Sequence, residues 1–284
     1  MLGKTLVEGL DPASGPFLAF TVLEENKRNI YIVGLNGGKP RNVTRDRGKN
    51  IWPAWSADGR TLSYASNRDG NWEIYSVDLS DFSETRMTQT PEREGAPAWS
   101  PDGSKLFFLR GEPERGEIFQ LDMRTMQIER VEGMPGRAVA AAWSPDARSI
   151  AFESDASGTW DIYRMNLEDG RAVRLTETGS DNETPIWSPD GTRLAFESNR
   201  EGNWDVFVMD SEGREIVRLT ETPGAESNPT WSPDGRWLAF DSIQFGQGDI
   251  YAVSADGTDL RRLTNDPGDD VAPQWSPDGK QIAC

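Results

Sequence analysis

Apolar residues in this chain come in short runs separated by polar, glycine-bearing punctuation. From Pro185 the runs are Pro185-Ile-Trp-Ser188, Leu194-Ala-Phe196, Val206-Phe-Val-Met209 and Ile216-Val-Arg-Leu-Thr220. Each is too short for a helix and rich in aromatic or β-branched residues, so each reads as a strand. The Pro-Asp-Gly and Glu-Gly groups between them are hairpin signals. In Ser188-Pro189-Asp190-Gly191 the proline presets φ, the aspartate can accept from nearby backbone N–H groups, and the glycine tolerates positive φ.

The four-run unit repeats without insertion. Its marker tryptophans are Trp55, Trp99, Trp143, Trp187, Trp231 and Trp275, evenly spaced by 44 residues. The third run keeps the same phase at Ile30-Tyr31, Ile74-Tyr75, Ile118-Phe119, Ile162-Tyr163, Val206-Phe207 and Ile250-Tyr251. The fourth shows as Val43-Thr44, Met87-Thr88, Leu175-Thr176, Leu219-Thr220 and Leu263-Thr264, with the threonine lost at Val131-Glu132. Four strands per period of this length is the pattern of a propeller blade. The predicted fold is all-β, a six-bladed β-propeller with four antiparallel strands per blade, over 1–284 as one domain.

The ends suggest how the ring closes. Asp11-Pro-Ala-Ser-Gly15 stands one period before the first tryptophan turn, and residues 1–16 read as a polar lead-in. The first blade would be shared between 17–47 and 271–277: the N-terminal strands plus a C-terminal innermost strand around Trp275 leave no open sheet edge. Gln281-Ile-Ala-Cys284 matches the second-strand phase as well as Phe17 to Val22 does. It is expected to be a redundant tail.

Trp-Ser-Pro-Asp-Gly, followed by Leu194-Ala-Phe-Glu-Ser-Asn-Arg200, Gly202-Asn-Trp-Asp-Val-Phe207 and Arg218-Leu-Thr220, resembles the TolB-type propeller repeat, related in architecture to the tryptophan–aspartate repeat propellers. The resemblance covers 17–284. It implies a bacterial periplasmic or exported setting and a protein-binding role; no signal peptide is read at Met1-Leu-Gly-Lys-Thr-Leu-Val7.

Composition narrows the chemistry. A net charge of −17 argues against nucleic acid and anionic membrane surfaces and favours cationic ligands. No apolar run is long enough to span a bilayer. With His 0 in the sequence, histidine general-base chemistry, imidazole–zinc sites and a serine–histidine triad are excluded. The one cysteine, Cys284, rules out an intrachain disulfide. A monomer is expected.

The repeated tryptophans read as wedges between blades, and Asp58, Asp102, Asp146, Asp190, Asp234 and Asp278 as turn formers. Two other polar sets are the candidate site. Asn29, Glu73, Glu117, Asp161, Asp205 and Asp249 stand just before each third strand. Arg68 and Arg200, five positions earlier in two blades, read as their ion-pair partners, which would leave Asp161 and Asp249 free. Asn50, Glu94, Ala138, Asn182, Glu226 and Asp270 precede each innermost strand. Propeller topology puts both sets at one mouth of the channel, where like charges repel unless a cation sits among them. The candidate metal ligands are therefore Asn50, Glu73, Glu94, Glu117, Asp161, Asn182, Asp205, Glu226, Asp249 and Asp270, with calcium the expected ion because every donor is oxygen.

No catalytic constellation and no organic cofactor motif is present. The expected function is a non-enzymatic interaction scaffold whose acidic channel face receives a partner protein or peptide, with the irregular segments Arg110–Gly116 and Val131–Arg137 as further places for a partner. The alternatives are a hydrolase or lyase acting on a carbohydrate or small molecule at the channel mouth, or an accessory propeller excised from a larger protein.

Overall fold

The structure is a computed structural model that describes residues 17–24, 27–34, 38–45, 47–112, 116–244, 246–265 and 267–284. The lead-in, the degenerate turn at 11–15 and residues 113–115 of the irregular third-blade connection lie outside them. Every regular element among the described residues is a strand, and all neighbours pair antiparallel in chain order. Two compact units divide the chain at Val131/Glu132.

The first unit holds three sheets. Phe17–Glu24, Lys27–Gly34 and Arg41–Asn42 make a three-stranded one; Asn50–Trp55 to Glu84–Arg86, and Glu94–Trp99 to Ile128–Arg130, make four-stranded ones. The second unit holds three four-stranded sheets, Ala138–Trp143 to Ala172–Arg174, Asn182–Trp187 to Val217–Arg218 and Ala225–Trp231 to Leu260–Arg262. A two-stranded hairpin, Gln274–Trp275 with Ile282–Ala283, follows. These are the six predicted blades, in the predicted phase.

The C-terminal pairing corrects one expectation. Trp275 lies opposite Ile282, as Trp231 lies opposite Leu238, so the segment expected to be redundant is the direct partner of the sixth tryptophan strand. Among the described residues of the first unit Phe17–Glu24 pairs with Lys27–Gly34. Sequence proximity favours this outcome: a hairpin across Ser276–Gln281 closes a far shorter loop than pairing with the opposite end of the chain.

The turn and the tryptophan behave as the sequence predicts. In all six turns the serine hydroxyl donates to the aspartate, from Ser56 to Asp58 at 2.7 Å through Ser188 to Asp190 at 2.6 Å and Ser276 to Asp278 at 2.7 Å. The aspartate also accepts a backbone N–H two residues on, as at Thr192 with 3.0 Å. These bonds hold the turn carboxyls below their usual range, Asp190 at about 2. The glycine takes φ 71 at Gly191, while Ala147 is forced to φ 58 at the same place. In the second unit three marker indoles reach the preceding blade through their N–H: Trp187 to Ala142 O at 3.1 Å, Trp231 to Ile186 O at 3.3 Å, Trp275 to Thr230 O at 3.2 Å. Within each blade an aromatic pair stacks across the second and third strands, as in Phe196 and Phe207 with centroids 5.8 Å apart.

Innermost strands carry a bulge. Their register shifts between Ile51/Ala54, Gly95/Ala98, Val139/Ala142, Glu183/Ile186 and Ser227/Thr230. The bulged residue has positive φ at Trp52, Ala96, Ala140, Thr184 and Asn228, and Ala272 takes the same φ one period later. The proline or alanine that follows leaves a gap in the ladder, and the extra residue turns its N–H away from the sheet.

Candidate functional site

The third-strand set is built into the blades. Glu73 is fully buried and accepts from Thr88 Oγ1 at 2.8 Å, Thr90 N at 3.0 Å and Arg86 Nη2 at 3.1 Å. Asp161 accepts from Thr176 Oγ1 and Arg174 Nη2, both at 2.7 Å. Asp205 pairs with Arg218 at 2.9 Å and Asp249 with Arg262 at 2.7 Å. In each case the cation comes from the fourth strand, two residues before the repeated threonine. That threonine's hydroxyl also accepts the N–H that opens the third strand, as from Ile162 at 3.0 Å.

This overturns the expected pairing. Arg68 bonds Glu84 at 2.9 Å and Tyr64 Oη at 2.8 Å, and Arg200 bonds Ser198 Oγ at 2.9 Å and Asn182 Oδ1 at 2.7 Å. Asp161 and Asp249, expected to be free, both hold an arginine. The register explains it: Tyr163 lies opposite Arg174, which brings the fourth strand's Arg-x-Thr alongside the carboxylate. Glu117 is the exception. Its blade has Glu132 where the threonine should be, and among the described residues its half-exposed side chain bonds Arg130 alone, at 2.9 Å.

The innermost-strand set lies beside the first. Asn182 donates to Asp161 Oδ1 at 3.2 Å, and Thr90 joins Glu73 to Glu94 by donating to Glu94 Oε1 at 3.1 Å. Asn50 donates to the carbonyls of Arg28 at 3.1 Å and Arg47 at 3.0 Å. Glu94 takes Arg110 at 2.8 Å, and Glu226 accepts from Thr222. Where an asparagine is replaced by an acid, a donor is lost. Among the described residues Glu94 Oε2, Glu226 Oε2, Asp249 Oδ1 and Asp270 Oδ2 are buried with no hydrogen-bond donor. Burial, with Asp205 alongside, pushes the Glu226 carboxyl up to about 7. Among the described residues no three acidic or cysteine side chains gather closely enough to share a metal ion.

A third acidic set escaped the sequence reading. Glu153, Glu197 and Asp241 occupy one position of the second strand in three successive blades and are 8%, 7% and 1% exposed. Each accepts the turned-out N–H of the next bulge: Thr184 N to Glu153 at 2.6 Å, Asn228 N to Glu197 at 2.6 Å, and Ala272 N to Asp241 at 2.9 Å. Glu183 sits opposite Glu197 in the sheet. Burial foremost, with neighbouring carboxylates, raises Glu153 and Glu197 to about 7. No lysine or arginine bonds to any of the three among the described residues. The available signal was an acid inside an otherwise apolar strand, Ala151-Phe-Glu-Ser154, Ala195-Phe-Glu-Ser198 and Ala239-Phe-Asp-Ser242.

A family model described as the TolB beta propeller domain matches residues 11–94, 83–188 and 180–284. The chain belongs to the TolB β-propeller family. The TolB-family chain is 38% identical over 53 residues to the Tol-Pal system protein TolB of Desulfosudis oleivorans, a match spanning 19% of this chain and 12% of that relative. TolB from Acinetobacter baumannii superposes with a TM-score of 0.73 at 28% identity, covering 92% of this chain and 66% of that one. The chain thus spans less than two thirds of the length of these relatives. An oligogalacturonate lyase in complex with manganese shares the fold at TM-score 0.67 and 18% identity, covering 94% and 77%. Among the described residues of this TolB-family chain no helix is long and apolar enough to cross a membrane.

Proposed function

We propose that this TolB-family propeller is a non-enzymatic interaction scaffold, in a periplasmic or exported setting, that receives a basic segment of a partner protein or peptide. The receiving surface is the carboxylate row Glu153, Glu197 and Asp241 with Glu183 beside it. The observation that carries this is that among the described residues no cation bonds to that row, whereas the third-strand carboxylates each hold an arginine. A lysine or arginine side chain would supply the missing charge and reach the second carboxylate oxygen of Glu153 and Glu197, while Asp241, whose oxygens accept from Ser227, Asn228 and Ala272, adds charge to the row. The net charge of −17 steers such a segment inward. The Tol-Pal name of the Desulfosudis relative is consistent with work among protein partners.

The test is fluorescence anisotropy with a labelled lysine-rich peptide. Binding should weaken steeply with salt and fall at least tenfold in the triple variant Glu153→Gln, Glu197→Gln, Asp241→Asn. Equal binding by that variant would move the surface elsewhere.

Calcium is the second reading, favoured by the four buried carboxylate oxygens that lack donors among the described residues. A rise in melting midpoint with calcium that disappears in Glu94→Gln with Glu226→Gln would assign it. A lyase or hydrolase reading draws on the fold it shares with the oligogalacturonate lyase, and turnover of a uronate or glycoside panel would replace the scaffold reading.

A further inference from the structure

The residue just past the second strand acts as a cap in three blades. Asn67 accepts from Lys49 N at 2.7 Å, Asp155 from Arg137 N at 2.8 Å, and Asn199 from Asp181 N at 3.0 Å. The Asp155 carboxylate also takes the Arg137 guanidinium, so one acid holds both the backbone and the side chain of that arginine. One period earlier the corresponding pair is Gly111 and Arg93, where the irregular third-blade connection begins. Glycine brings no acceptor, and among the described residues no carboxylate or carbonyl bonds the Arg93 guanidinium. In a chain of net charge −17, a half-buried arginine without an anion is a departure that needs a reason.

Arg93 stands instead between two indoles of the preceding blade. Its Cζ lies 5.9 Å from the Trp52 ring centre and 5.3 Å from that of Trp72. Trp52 is itself out of pattern, since the bulge position it fills holds Ala96, Ala140, Thr184, Asn228 and Ala272 in the other periods. Its ring lies on Gly95, where a Cβ would meet Trp52 Cζ3 at 2.5 Å; the same place holds Val139 one period on. Three departures from the repeat, Trp52, Gly95 and Gly111, thus converge on one arginine. With one face against the Gly95 backbone, Trp52 is still 44% exposed. The polar side chains alongside are already committed: Asn71 donates to Thr90 O at 2.9 Å and Glu92 O at 2.7 Å, and the Thr90 hydroxyl to Glu94 at 3.1 Å.

We propose that Arg93, Trp52 and Trp72 form a binding site for a small aromatic carboxylate. The ligand supplies at Arg93 the acid that Asp155 supplies at Arg137, received by the paired N–H groups of the guanidinium, and its ring stacks on the exposed part of Trp52. An aromatic acid suits the site better than a sugar acid. The committed side chains of Asn71 and Thr90 leave a ring of hydroxyls without partners, and such groups are costly to desolvate unpaired. Every residue of the site lies in the first unit and none belongs to the carboxylate row, so either proposal can fail alone.

The experiment titrates the full chain with indole-3-carboxylate by isothermal calorimetry, beside indole-3-carboxamide and glucuronate. Saturable binding of the aromatic acid alone is expected. Arg93→Gln should abolish it, and Trp52→Ala should weaken it about tenfold. Melting midpoints should not move: the Arg93 guanidinium has no bonded anion to lose, and alanine already holds the Trp52 backbone conformation at Ala96 and Ala140. Gly95→Val, which supplies the Cβ that displaces the Trp52 ring, should match Trp52→Ala and keeps the test open if Arg93→Gln fails to fold. No binding at millimolar acid, equal binding of the carboxamide or of glucuronate, or binding indifferent to both Arg93→Gln and Trp52→Ala would each overturn the proposal. Binding that appears only in Glu112→Gln would show that the adjoining connection already fills the site, and would equally overturn it.

Discussion

The two halves of the repeat array solve one backbone problem in different ways. Both bulge the innermost strand and turn an N–H out of the ladder. In the second unit that N–H meets Glu153, Glu197 or Asp241, whereas the equivalent second-strand positions of the first unit are Thr21, Ala65 and Leu109. Ala65 is fully buried and packs with Ile74, Leu106 and Phe108. The first unit carries no charge at this position, with Ala65 in the core, Leu109 partly buried and Thr21 exposed, and the second accumulates negative charge there. A repeat can be regular in every residue that makes the fold and still concentrate its distinguishing chemistry in one half.

The sharpest way to test the division is to compare third-strand acids across it. Asp161→Ala strips a buried carboxylate from Arg174, Thr176 and Asn182 and should cost about 3–5 kcal/mol in chemical denaturation. Glu117→Ala removes a half-exposed side chain paired with a half-exposed Arg130 and should change stability by about 0.5 kcal/mol or less. Equal effects would show that the lost threonine of the third blade does not matter.

The next contrast is in pH. Glu153 and Glu197 hold their protons more tightly in the folded chain, near 7, than at the ordinary value of 4.5. Folding therefore takes up protons between those values. The associated stability is complete below the window and is lost as pH rises through it, up to about 3 kcal/mol per group. Melting midpoints should fall from about pH 5 to about pH 8 in the native chain and stay flatter in Glu153→Gln with Glu197→Gln. The turn aspartates, with depressed values, lose their contribution only at lower pH.

The smallest expected effect lies in the fourth blade's turn. Ala147 holds φ 58 where the other five turns have glycine. Ala147→Gly should stabilise by about 1 kcal/mol, and Gly191→Ala should destabilise by a similar amount. Thermal melts of the two single variants check this directly.

How much of this was legible in the sequence follows from where the information sits. The 44-residue spacing of Trp55 to Trp275 and the Pro-Asp-Gly turns act locally, so blade number, turn and indole placement could be read directly. The arginine partners could not. Arg68 and Arg200 are nearer along the chain, but antiparallel register brings Arg174 and Arg218 to the carboxylates from the far side of the next hairpin. The spacing of acid, arginine and threonine, repeated in four blades, was the overlooked signal. Glu153, Glu197 and Asp241 were hidden for another reason: their donors lie in the following repeat and exist only because the innermost strand bulges. The C-terminal pairing turned on a competition between two equivalent strands that no residue pattern decides.

The bond from Asn228 N to Glu197 has a consequence for dissecting the molecule. Its atoms belong to adjacent periods, so the self-sufficient module is out of step with the period marked by the tryptophans. A fragment cut at Thr222 would strand the Glu197 carboxylate inside a blade with nothing to receive. A cut beyond Trp231 would carry the needed amide along and also deliver the indole that caps Ile186. Each repeat is finished by its successor, which gives the array a head and a tail.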